Sequence, residues 1–114
     1  MGGVMLDLSS NVKAKLADYS PNKVLELPTG RLLLYIDLKA AEILETCGYL
    51  NVVFEDLEGR SYVIEKAALG DGKDTSAIVS GSVENGLVLL GHWRGFESVF
   101  DSETLCFERQ RITK

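Results

Sequence analysis

The run Ala77-Ile78-Val79-Ser80-Gly81-Ser82-Val83-Glu84-Asn85-Gly86-Leu87-Val88-Leu89-Leu90-Gly91-His92-Trp93 reads as one β-hairpin folded about Asn85-Gly86. Two-residue type I′ turns need positive φ at both central positions, and Asn-Gly adopts it at little cost. Closing the chain there pairs Val83 with Val88, Gly81 with Leu90 and Val79 with His92, since the turn sets the register. Those six residues share one face, and Ser80, Ser82, Leu87, Leu89 and Trp93 take the other.

Working outward, the period of two persists on both sides. Phe96 to Phe100 and Thr104 to Ile112 form a hairpin through Asp101-Ser102-Glu103, which aligns Phe96, Phe100, Leu105 and Phe107 on a face that must be buried. Upstream, Tyr49 to Glu55 and Arg60 to Lys66 flank Asp56-Leu57-Glu58-Gly59, whose glycine supplies the positive φ of a short loop. The Gly/Asp-rich stretch Leu69 to Ser76 reads as a surface connection.

Before Gly48 the period changes to that of a helix. Ala40, Ile43, Leu44 and Cys47 form an apolar stripe, Lys39, Glu42 and Glu45 face away, Asp37 caps and Gly48 stops. Leu32 to Ile36 is continuously apolar, as a strand buried on both faces would be. A shorter helix over about residues 10–18 is capped by Ser9 or Ser10, carries Val12, Leu16 and Tyr19, and is stopped by Ser20-Pro21. Lys23 to Leu27 is a short strand or extended arm turned by Pro28-Thr29-Gly30. The expected fold is therefore α+β: mainly an antiparallel meander, a rolled sheet or half-barrel of about six to seven strands. Two short helices accompany it, one N-terminal and one after the first long strand.

The 114 residues suit a single domain spanning 1–114. With 46% hydrophobic and 25% charged residues the chain can bury a core, and size scaling predicts a folded surface of about 6,000 Å². Twelve Lys and Arg against seventeen Asp and Glu give a net charge of −5, the wrong sign for a nucleic-acid footprint. No apolar run approaches a membrane span, and the start lacks the regions of a secretory signal, so a cytoplasmic protein is expected. In that setting Cys47 and Cys106 read as buried free thiols.

Chemistry-bearing segments are few. Gly70-Asp71-Gly72-Lys73-Asp74-Thr75-Ser76 has the wrong spacing for a phosphate loop and for a calcium loop. Gly91-His92-Trp93-Arg94-Gly95 gathers the only His, the only Trp and an Arg. An inward-facing His92 would serve as a general base or ligand donor, with Trp93 and Arg94 gripping a flat or anionic group and Gly81 and Leu90 lining the space beside it. The plainer reading of His92 is a core-edge imidazole bonded to a backbone carbonyl. Glu97 and Glu108 fall opposite each other if the third hairpin turns at Ser102-Glu103, giving a carboxylate pair unless neighbouring arginines neutralise it. One His and two dispersed Cys do not make a metal site, and no cofactor motif occurs. Cys106, between Leu105 and Phe107, reads as packing.

Strands apolar on both faces need cover from helices, from a pocket, or from a second subunit, and an isologous homodimer is the expected outcome. The favoured function is a small binding domain for an apolar or aromatic ligand or a protein partner, without nucleic-acid or membrane contact. A cofactor-free enzyme using His92 with Glu97 or Glu108 is the alternative, and an acidic inhibitor or immunity-type module a third.

Overall fold

The computed structural model describes residues 5–113. It is an α+β fold of two helices and nine strands in two antiparallel sheets. The strands are β1 (Met5–Asp7), β2 (Lys23–Leu27), β3 (Gly30–Leu34), β4 (Tyr49–Asp56), β5 (Ser61–Glu65), β6 (Ile78–Glu84), β7 (Leu87–His92), β8 (Phe96–Asp101) and β9 (Phe107–Ile112). The helices are α1 (Ser10–Leu16) and α2 (Leu38–Glu45), and a 3₁₀ turn covers Lys66–Leu69. One sheet has the order β1-β5-β4-β3-β2 and the other the order β6-β7-β8-β9.

The expected single rolled sheet is thus two sheets packed face to face, because the Leu69 to Ser76 connection breaks the ladder between β5 and β6. Leu32, Leu34, Val52, Phe54 and Ile64 of the first sheet meet Ile78, Val88, Leu90 and Phe100 of the second. The other face of the first sheet, with Tyr35, Val53 and Val63, is covered by Val12 and Leu16 of α1 and Ala40 and Leu44 of α2. Alternation along β4 therefore serves two cores, since successive side chains point to opposite faces. At Gly81 the sheets approach closely: a Cβ there would lie 2.8 Å from Leu34 Cδ2 and 3.1 Å from Leu25 Cδ1.

Local signals explain most boundaries. Ser9 Oγ accepts from Val12 N and Asp37 Oδ1 from Lys39 N, capping the helices where the sequence placed them. Asn85 and Gly86 take φ of 51° and 77°, the type I′ reversal. Val83–Val88 and Gly81–Leu90 pair as the turn dictates, but a bulge near Val79 puts Ile78 opposite His92. Val79 is consequently turned out, 42% exposed, where the simple register buried it.

Two further expectations change. Helix α2 ends at Glu45, so Cys47 is exposed and Ala41 takes its place on the buried stripe, while Cys106 is only half-buried; both are free thiols. The last hairpin has a longer loop and a bulge near Phe100, which brings Arg111 and not Glu108 opposite Glu97.

The sheets are also joined through a side chain. Asn51, buried in an irregular stretch of β4, donates from Nδ2 to the carbonyls of Ile78 (2.9 Å) and Tyr35 (3.0 Å) and accepts from Ile78 N (2.7 Å). Its amide thus pairs with Ile78 as a strand backbone would. Among the described residues no helix is long and apolar enough to cross a membrane.

Candidate functional site

His92 ends β7 with its ring inside the protein, 3% exposed. Nδ1 lies 2.7 Å from the Ser76 carbonyl and Nε2 lies 2.6 Å from Ser98 Oγ. A carbonyl can only accept, so Nδ1 carries the proton and Nε2 accepts from the Ser98 hydroxyl in the neutral ring. Gln110 Nε2 donates to Ser98 Oγ (3.1 Å) and to the Asp74 carbonyl (2.8 Å), while its Oε1 accepts from Asp74 N (2.8 Å). Asp74 in turn accepts from the Ser76 hydroxyl (2.8 Å). This network ties the Asp74–Ser76 loop to β7, β8 and β9.

A serine hydroxyl bonded to an imidazole held from behind is the geometry that activates a nucleophile. Here Ser98 has 0% exposure, so no electrophile can approach its oxygen without opening the sheet. The carboxylates proposed to work with His92 lie elsewhere. Glu97 faces outward and binds Arg111 at 2.6 and 2.7 Å, and Glu108 pairs with Arg109 at 3.4 Å. Arginines thus neutralise both acids, and they do not form the opposed pair that the tip register predicted.

The remaining sequence-derived site residues are dispersed. Gly81 and Leu90 lie in the inter-sheet core. Trp93, 75% exposed, and Arg94 lie in the β7–β8 turn. Arg94 borders an open polar cleft of about 530 Å³ with Lys66, Lys73 and Asp74. Lys66 there pairs with Glu45 at 3.5 Å, and Asp74 is occupied by Ser76. Among the described residues no three His, Cys, Asp or Glu side chains cluster as metal ligands.

A second cavity has a different character. At the far end of the inter-sheet core, a half-open cavity of about 270 Å³ is lined by the apolar and aromatic Met5, Phe54, Tyr62 and Leu105 and by the polar Thr29, Asp56, Glu103 and Thr104. Phe54 and Tyr62 are register partners on β4 and β5, and their ring centroids are 6.1 Å apart at 34°. Leu105 lines the cavity with φ of 57°, a left-handed conformation that costs about 1–2 kcal/mol and persists only where packing holds it. Its side chain is buried, so packing does hold it.

Both walls are braced by aspartates at turns. Asp56 Oδ1 accepts from Glu58 N and Arg60 N, both at 2.9 Å, and Oδ2 lies 3.3 Å from Tyr62 OH. Asp101 Oδ1 accepts from Glu103 N (2.8 Å) and Thr104 N (2.9 Å). The backbone N–H of Arg60 leads in holding the Asp56 carboxyl below its ordinary range, and that of Thr104 does the same for Asp101. Across the entrance Thr29 Oγ1 donates to the Glu103 carbonyl at 3.5 Å.

None of the cavity's walls was singled out from the sequence. A signal was present, for the register about Asp56 to Gly59 places Phe54 beside Tyr62. The third hairpin marked Leu105 as buried with Phe100, but not as a cavity wall, because that position depends on a five-residue loop and a distant sheet. Comparison with family models, curated proteins and solved structures finds no match to this chain.

Proposed function

We propose that this chain is a non-enzymatic binding domain whose ligand site is the apolar cavity between Phe54, Tyr62, Met5 and Leu105. One observation carries the reading: this cavity combines an aromatic and aliphatic lining with braced polar side chains, the composition small-molecule sites usually have. At about 270 Å³ it lies just below the usual size of such sites, which limits a ligand to about one aromatic ring. Support also comes from hydrogen bonding, since among the described residues every buried side-chain polar atom has a partner and the His92 network has no unpaired group to offer a ligand.

The homodimer is part of the proposal, argued from apolar strands that include Leu87 to Leu90 of the second sheet. The chain's own helices and second sheet cover both faces of the first sheet. The proposed site is accordingly complete within one chain, and light scattering at the concentration used for binding tests whether ligand uptake needs a second copy. The proposed compartment is a reducing one, since Cys47 and Cys106 are free thiols.

The test is a titration of ¹⁵N-labelled protein with 2-phenylethanol. Amide shifts are expected to centre on Met5, Tyr62 and Leu105, and Tyr62→Ala should weaken binding about tenfold through loss of one aromatic wall. Shifts centred on His92 to Arg94 instead would move the site to the opposite end and overturn the reading.

A further inference from the structure

We infer that the ligand of this cavity is an organic cation: an ammonium carried on an apolar, preferably aromatic, body. The inference deepens the proposed function and rests on it. Two acidic residues, Asp56 on β4 and Glu103 on the facing loop, line the cavity, and no lysine, arginine or histidine does. Three hydroxyl-bearing residues, Thr29, Tyr62 and Thr104, line it as well. An ammonium brings donors that carboxylates and hydroxyl oxygens can accept, whereas a carboxylate ligand would meet two like charges and only hydroxyl donors.

The acids are available for that role. Among the described residues neither Asp56 nor Glu103 forms an ion pair, whereas Glu45, Glu55, Glu97 and Glu108 each have a basic partner. Arg60, whose charge reaches Asp56, points its guanidinium at Glu58, 3.9 Å away, and does not line the cavity. Asp56 commits Oδ1 to two backbone N–H groups, and its Oδ2 accepts from the Tyr62 hydroxyl at 3.3 Å, which leaves a second lone pair on that oxygen for a ligand donor. Its position is thereby held before any ligand arrives, and the backbone bonds keep it ionised. Phe54 and Tyr62 line the same cavity, and a cation is attracted to an aromatic ring face more than a neutral group is.

The experiment compares three probes of one size, 2-phenylethylamine, 2-phenylethanol and phenylacetate, by amide shifts at pH 7 and low salt. The amine should bind at the cavity about fivefold more tightly than the alcohol, with phenylacetate weakest, as expected for partly exposed charge pairing. The Glu103→Gln variant should reduce the ratio of amine to alcohol affinity about twofold, the ratio being the readout because Glu103 borders the site for both probes. Equal affinities for amine and alcohol, or a preference for phenylacetate, would overturn the cation inference while leaving the apolar site standing. Absence of shifts at the cavity with all three probes would overturn both.

Discussion

The two ends of the inter-sheet core are built on opposite logics. At the His92 end, polar side chains are buried and each is used up by a neighbour: ring to Ser76 and Ser98, Ser98 to Gln110, Gln110 to Asp74. At the Tyr62 end, polar side chains line a half-open cavity together with apolar and aromatic ones. The end richer in reactive residue types is the sealed one. A rare histidine beside a serine is therefore insufficient to mark a site; what matters is whether its hydrogen-bonding capacity is left over for a ligand.

The largest test of the contrast falls on Asn51, which joins the sheets near the sealed end. Asn51→Ala strands the N–H and C=O of Ile78 and the C=O of Tyr35, and should cost about 3 kcal/mol or more in urea unfolding, with Asn51→Asp no better than partial rescue. A loss below about 1 kcal/mol would mean that water replaces the amide and that the end is not sealed.

A smaller effect is expected at His92. His92→Ala should destabilise the fold by about 2 kcal/mol, since it removes the acceptor of the Ser98 hydroxyl and the donor to the Ser76 carbonyl and leaves a void, without changing ligand affinity at the Tyr62 end. A change in 2-phenylethanol affinity with unaltered stability would reverse the roles of the two ends. Limited proteolysis adds resolution, because release of the Asp74–Ser76 loop should make that segment the first to be cut in the variant.

The smallest effect concerns pH and the open end. Asp56 and Asp101 have folded-state pKa values below the unfolded value of 3.8, so their contribution is present above that pH and is lost as pH falls through the lower folded values. Stability should decline on acidification below about pH 4, and Asp101→Asn should flatten that decline relative to the parent chain. Parallel acid curves for parent and variant would show that the loop of Glu103 and Thr104 is not braced by this carboxylate.

Legibility in the sequence tracked the range of the interactions involved. Asn85-Gly86, Ser9, Asp37 and Gly48 act on residues within a turn or two, and the hairpin and both helices follow from them. The slip at Val79 does not, since Ile78 is claimed by the Asn51 amide, 27 residues earlier in the chain. Likewise the pairing of Glu97 with Arg111 depends on a longer loop and a bulge, and shifting a hairpin by a residue changes every cross-strand partner. Phe54 and Tyr62 were within reach of a register argument, and so was the burial of Leu105; its meeting with Met5, on an element far away in sequence, was not.

Residue order alone determined the α+β class, the antiparallel hairpins and the inward aim of His92, because turn chemistry and hydrophobic period are local properties of the chain. Tertiary structure alone decided that the strands divide into two sheets and that His92 is enclosed by Ser76 and Ser98. It also decided that an apolar cavity opens at the other end. The physical reason is that a cavity and a satisfied polar network are both defined by which distant groups fill the space around a side chain, and only the packing of one sheet on the other settles that.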